Sequence, residues 1–235
     1  MRISVVIPVY NADPYLADSI ASVLHQTRPP DEVTVVVQHP TALTLQIIES
    51  FGDKILTSFC AERGSARALN VGVRLCSGDL LAFQDADDLW LPEKLERQVE
   101  AMTSDPSLEA IFTHVRQFVS PDVPAERVAD LMPPKEILAG ISKITMLIRR
   151  PTFDRVGPFN EAQLVVEFLD WYARAQAGGL KSHMLPEVLA LRRLHLANIG
   201  RTDTSRRNME NLATIRSLLN AKRKRGGSDR MPEPS

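Results

Sequence analysis

Short apolar runs separated by helical patterns organise the first hundred residues. Ile3 to Val9, Glu32 to Val37, Ile55 to Phe59 and Leu80 to Phe83 are rich in β-branched and large apolar residues and read as strands. Between them, apolar positions recur at helical spacing: Leu16, Ile20, Val23 and Leu24, then Leu43, Ile47, Ile48 and Phe51, then Leu69, Val73 and Cys76. The boundaries are marked as well. Asp13 is placed to cap the first helix with Pro14 at its first position, Pro29-Pro30 end that unit, and Gly52 closes the second helix. The turn Glu62-Arg63-Gly64-Ser65 opens the third helix, which stops at Gly78. The order β-α-β-α-β-α-β, with right-handed crossovers, predicts an α/β fold with a mostly parallel central sheet and helices on both faces.

The second half is less regular. Ala110 to Val119 alternates like a strand, Ser120 to Pro134 reads as a loop, and Thr145 to Ile148 as a short strand leading into a helix near Phe153. A helix is predicted over Val165 to Gln176 with Gly178-Gly179 as its stop, and Val188 to Leu194 is extended. Met209, Leu212, Ile215 and Leu219 lie at helical spacing ahead of Lys222-Arg223-Lys224-Arg225. The expected organisation is a regular half over 1–104, a less regular half of the same domain over 105–204, a helix over 205–223 and a disordered tail over 224–235.

Composition narrows the class. At 235 residues and 44% hydrophobic content the chain can bury a full core, and a formal charge of −1 gives no reason to expect nucleic acid as a partner. Cys60 and Cys76 fall on predicted core elements without metal-ligand spacing, and a reduced, cytoplasmic setting is expected. No apolar stretch approaches the roughly 18 to 20 residues that cross a bilayer, so neither a signal peptide nor a membrane anchor is expected.

Candidate chemistry concentrates after the fourth strand, where Gln84-Asp85-Ala86-Asp87-Asp88 places three carboxylates within four residues. Parallel sheets bind ligands at the carboxyl ends of their strands. Crowded carboxylates repel, and a divalent cation relieves the repulsion while offering open positions to a diphosphate. The alternative is a solvated turn, or a helix opened by Asp88 with Pro92 in its first turn and Leu95, Val99 and Met102 on its buried side. The two readings are compatible.

Four segments carry a resemblance. Pro8-Val9-Tyr10-Asn11, Ser22 to Thr27 with Pro30 to Val33, Ala66 to Gly72, and Gly78 to Asp88 together resemble the nucleotide-sugar domain of family-2 glycosyltransferases. Val156 to Glu161, Glu167 to Arg174 and Arg192-Arg193-Leu194-His195 are similar to that family's acceptor half. The resemblance implies the GT-A fold and metal-dependent transfer of a sugar from a nucleoside-diphosphate donor to an acceptor, usually with inversion. It implies Pro8 and Tyr10 as base or ribose contacts, Arg67 as a diphosphate partner, Asp85 on the ribose or metal-bound water, and Asp87 as a ligand of Mn2+ or Mg2+. Asp88 is a further ligand or a helix cap, and His195 completes the metal sphere or donates a proton to the leaving group. A UDP-sugar is the expected donor, and a homodimer is compatible with the sequence.

Two departures from the family pattern change the expectations. Val37-Gln38-His39-Pro40 replaces the usual Asp-Asp-Gly-Ser, so Gln38, with an amide that both donates and accepts, is expected to read the base instead of a carboxylate. In Glu167-Phe168-Leu169-Asp170 the usual position of the catalytic base is Phe168. A single displacement needs a group to take the acceptor proton, which leaves Glu167 or Asp170, with Glu167 favoured because it follows Val165-Val166. The alternative functions are a noncatalytic nucleotide-sugar-binding protein on the same fold and a sugar-nucleotide pyrophosphorylase, whose glycine-rich, Arg-Lys-bearing first loop is absent after Val9.

Overall fold

The computed structural model describes residues 1–10, 12–131, 137–163 and 166–197. The helix expected over 205–223, the tail over 224–235, Asn11, Val165 and the end of the predicted 120–134 loop lie outside the described residues.

Four parallel strands form one side of a single sheet: β1 (Ile3–Val9), β2 (Glu32–Val37), β3 (Leu56–Phe59) and β4 (Leu80–Phe83). They follow the order β3-β2-β1-β4, as βαβ units with α1 (Asp13–Leu24), α2 (Ala42–Phe51) and α3 (Ser65–Leu75) require. The second half extends the same sheet through β8 (Leu147–Arg149), β6 (Ala110–Val119), β9 (Ser182–Leu194) and β5 (Leu89–Trp90), with β7 (Leu138–Gly140) paired to β6. Strand β8 is antiparallel to β4 and to β6, whereas β9 is parallel to β6. Strands β1, β2, β3, β4, β6 and β9 therefore point the same way, and β8 begins where they end.

The two faces are covered separately. Ile3, Val5 and Ile7 meet Leu16, Ile20 and Val23 of α1 and Leu95, Val99 and Met102 of α4 (Lys94–Ser104). Val6, Leu81 and Phe83 meet Leu69 and Val73 of α3, Phe153 of α5 (Arg150–Val156) and Trp171 of α6 (Glu167–Ala177). This alternation is the period of a strand buried on both sides. Gly72 lets α3 approach closely, because a Cβ there would run into the Val6 side chain and come within 3.3 Å of Val36.

Three local expectations change. Asp13 is the first helical residue, not a cap: its carboxylate accepts from the Thr41 hydroxyl at 2.6 Å and from that of Thr44, tying α1 to α2. No helix opens at Asp88. Leu89 and Trp90 pair with Leu191 and Ala190, so α4 starts at Lys94, beyond Pro92. Thr145 ends a 3-10 turn, Lys143–Thr145, that precedes β8.

Candidate active site

The strand directions gather the candidate residues on one edge. Tyr10 follows β1, Gln38 follows β2, Asp85 follows β4 and His195 follows β9, all at carboxyl ends. Because β8 runs the other way, the Lys143–Thr145 turn arrives at the same edge, as does α3 through Ser65.

Each aspartate of the run has its own partner. Asp85 Oδ1 lies 3.1 Å from Lys143 Nζ. Asp87 Oδ2 lies 2.9 Å from His195 Nε2. Asp88 is buried, and its Oδ1 accepts from the Arg193 backbone N–H at 2.8 Å. The Arg193 guanidinium donates to Asp87 O at 2.9 Å and lies 4.7 Å from the centre of the Tyr15 ring, which also flanks His195 at 4.6 Å. Gln84, fully buried, donates through Nε2 to Asp88 O at 2.7 Å and closes the turn. Asp88 does not cap a helix, and its Oδ1 is engaged by the end of β9. Burial and the neighbouring Asp87 and Asp85 charges push its carboxyl well above the usual range, and its bond to Arg193 fixes the end of β9 against the acidic turn.

Glu167 joins the acidic run from across the site. Its Oε1 accepts from Lys143 Nζ at 2.7 Å and from Ser65 Oγ at 2.8 Å, and among the described residues no bond falls on Oε2. Lys143 therefore bridges Asp85 and Glu167. Burial works against its charge, but the two carboxylates outweigh burial and hold the ammonium above the usual lysine range. Burial, followed by the Asp87 and Glu167 charges, raises Asp85 despite the attraction of Lys143.

Several expected contacts fall elsewhere. Asp170 pairs with Arg174 at 3.1 Å, four residues on, and Arg174 holds the carbonyls of Val156 and Pro158, so this carboxylate serves the α5–α6 junction. Phe168 stacks on Trp171 and Tyr172. Arg67 is ion-paired with Glu62 and, at 3.1 Å, with Glu161; neither partner belongs to the acidic run. Gln38 is 2% exposed and spends its amide on the loop ahead of α3, donating to Glu62 O and to Gly64 O at 3.2 Å. A side chain so engaged braces the loop. That loop carries Arg63, whose guanidinium carbon sits 4.6 Å over the Tyr10 ring, with His39 edge-on to the same ring at 6.0 Å. His39 has φ 52°, in the left-handed region that favours glycine.

Residues 4–153 match the sequence profile of glycosyl transferase family 2. The chain belongs to that family. An uncharacterized glycosyltransferase of Nostoc sp. is 32% identical over 221 residues, covering 84% of this chain and 66% of the Nostoc protein. The chain spans about two thirds of the length of the Nostoc protein. Among solved structures, S. aureus TarS in complex with UDP-GlcNAc aligns with a TM-score of 0.69 at 21% identity, over 84% of this chain and 60% of that one. Mannosyltransferase PcManGT from Pyrobaculum calidifontis, in complex with GDP-Man and Mn2+, aligns with a TM-score of 0.67 at 19% identity, over 93% of this chain and 64% of that one. The family-2 assignment and these structures establish the GT-A fold.

Asp87 and His195 suit a divalent cation of the kind family-2 enzymes use. A carboxylate and an imidazole in contact form a donor pair that Mn2+ accepts. Among the described residues no three His, Cys, Asp or Glu side chains converge on one point. A cation that keeps most of its sites for water and substrate phosphates needs only one or two protein ligands. Lys143 and Arg193 were missed as site residues in the sequence. Nothing local distinguishes Lys143, whose partners are 58 and 24 residues away, whereas Arg193 was visible only as part of the Arg-Arg-Leu-His segment.

Proposed function

We propose that this chain transfers a sugar from a nucleoside-diphosphate donor to an acceptor hydroxyl, with inversion, in a metal-dependent single displacement. The observation that carries the reading is the convergence of Asp85, the Asp87–His195 pair and Glu167 on one edge of the sheet. The nucleoside lies along Pro8 and Tyr10 at the end of β1, with Arg63 and His39 around the Tyr10 ring. Asp85 faces the ribose. Asp87 and His195 would hold Mn2+ or Mg2+, which when bound stabilises negative charge on the departing diphosphate.

Glu167 takes the proton. Lys143 and Ser65 both bind Oε1, which fixes the carboxylate and leaves Oε2 for the acceptor hydroxyl. As the acceptor oxygen bonds to the anomeric carbon, the bond from that carbon to the phosphate oxygen breaks. The acceptor proton passes to Oε2, and the nucleoside diphosphate leaves with the bonding pair. Asp170 is not the base in this reading, because its charge is committed to Arg174.

A second reading, a donor-binding protein without turnover, is favoured by one observation: the residue at the family's usual base position, Phe168, is part of an aromatic stack. Turnover of a sugar nucleotide in the presence of Mn2+ decides between them. Transfer or slow donor hydrolysis that is lost in Glu167→Gln while nucleotide binding persists supports the enzyme. Binding without turnover in the parent protein supports the second reading.

A further inference from the structure

Lys143 is held in place from below by buried side chains. Trp90 Nε1–H donates to Ile144 O at 2.8 Å, and Gln98 Nε2–H donates to Thr145 O at 2.7 Å. The same Gln98 amide donates to Ile111 O at 3.0 Å, which ties the turn to β6. Lys94, fully buried, donates to Gln98 Oε1 at 2.9 Å and lies 3.8 Å over the Trp90 ring, orienting both. Thr145 returns its hydroxyl to Ser142 O at 2.9 Å and to Gly140 O. At Gly140 the packing leaves no room, since a Cβ would come within 2.6 Å of Thr113 O and 2.7 Å of Thr145 Cγ2. The carbonyls of two consecutive residues after Lys143 are thus each fixed by a buried donor. A lysine serving only solubility has no need of such a mount.

The ammonium joins the residue group after β4 to the first residue of α6 across the site. Asp85 follows β4 on the donor side, and Glu167 opens α6 on the acceptor side. Buried ion pairs are poor sources of net stability, because desolvation offsets much of the attraction, and they are better suited to fixing one arrangement. We infer that Lys143 is a positioning residue that locks Asp85 and Glu167 into one unit, so that the donor seat and the acceptor carboxylate are set together. This rests on the glycosyltransferase reading above. On that reading, a change at Glu167 is felt at the nucleotide through Lys143, although Glu167 itself meets the acceptor.

The test is a double-mutant cycle read by nucleotide affinity. Dissociation constants of UDP, GDP, TDP and CDP are measured by calorimetry with Mn2+ for the parent protein, and that of the tightest binder for Glu167→Gln, Lys143→Met and the double variant, with thermal midpoints taken alongside. The expected result is that Glu167→Gln weakens the bound nucleotide about threefold when Lys143 is present and has no effect in Lys143→Met. Because Lys143→Met leaves the buried Glu167 and the part-exposed Asp85 without their cation, Lys143→Arg serves as the folded control. It keeps the charge but not the point-like ammonium, and is expected to hold its thermal midpoint while donor turnover falls about tenfold.

Effects of Lys143→Met and Glu167→Gln on affinity that simply multiply overturn the inference, as does full turnover in Lys143→Arg. A parent protein that binds none of UDP, GDP, TDP and CDP overturns the glycosyltransferase reading and the coupling with it. Additive variants on a protein that does bind nucleotide overturn the coupling alone.

Discussion

At the scale of residues, the site is a set of acids that the fold has largely answered with its own cations and donors. The crowding of Asp85, Asp87 and Asp88 argued for a metal on repulsion alone, but Lys143, His195 and Arg193 already meet these carboxylates one by one. What still points to a cation is the Asp87–His195 pair, whose carboxylate is 27% exposed, whereas Asp88 is buried under β9. Asp87→Ala is therefore expected to abolish the Mn2+ dependence of nucleotide binding. Asp88→Ala is expected to cost stability, about 1 to 3 kcal/mol by urea unfolding, because it leaves the buried Arg193 N–H without its acceptor. Glu167→Gln should lower turnover about 10²- to 10⁴-fold with little change in the donor KM beyond the threefold effect carried by Lys143. The position of Pro8, Tyr10 and the acidic turn at strand ends was legible in the sequence from the apolar runs that carry them. Lys143 was not, because its partners come together only through the antiparallel entry of β8.

At the scale of elements, close fits at two places carry predictions. Gly72 on α3 faces Val6 and Val36, and Gly72→Ala is expected to cost about 1 to 3 kcal/mol, seen as a lower denaturant midpoint with an unchanged slope. At the start of β2, Glu32 accepts from the hydroxyl of Ser4 on β1 at 2.5 Å and from the N–H at 2.8 Å and the hydroxyl of Ser77, and pairs with Arg2 at 2.8 Å. Burial opposes its ionised form, but these donors outweigh burial and lower its pKa from 4.5 to about 2. A lowered folded pKa means that the clamp is fully stabilising above about 4.5 and is lost as pH falls toward about 2. Thermal midpoints between those values should fall less steeply in Glu32→Gln than in the parent protein. The parallel half was readable because its β-branched runs and helical spacings agree. Strand β5 was hidden because a two-residue strand carries no period, so Asp88 looked like the start of a helix.

At the scale of the molecule, one sheet joins a parallel first half to a mixed second half, and six strands end on the shared edge. That common direction allows residues from 10 to 195 to meet, and it follows from chain connectivity more than from any single motif. The family resemblance supplied the GT-A fold that length and periodicity left as one α/β possibility among several. It did not foresee Gln38 as a loop brace, since the 60–64 loop that occupies its amide is invisible to a pattern read along the chain. No helix among the described residues is long and apolar enough to cross a membrane.

The most direct test of the donor site is a thermal-shift measurement with UDP, GDP, TDP and CDP, each with and without Mn2+, on the parent protein and Asp87→Ala. One nucleotide should raise the midpoint with Mn2+ present, by about 5 to 10 °C at a hundredfold excess over its dissociation constant, and the rise should vanish in Asp87→Ala. A midpoint that no nucleotide moves, or a shift that survives in Asp87→Ala, would contradict the metal-dependent donor site at the end of β4.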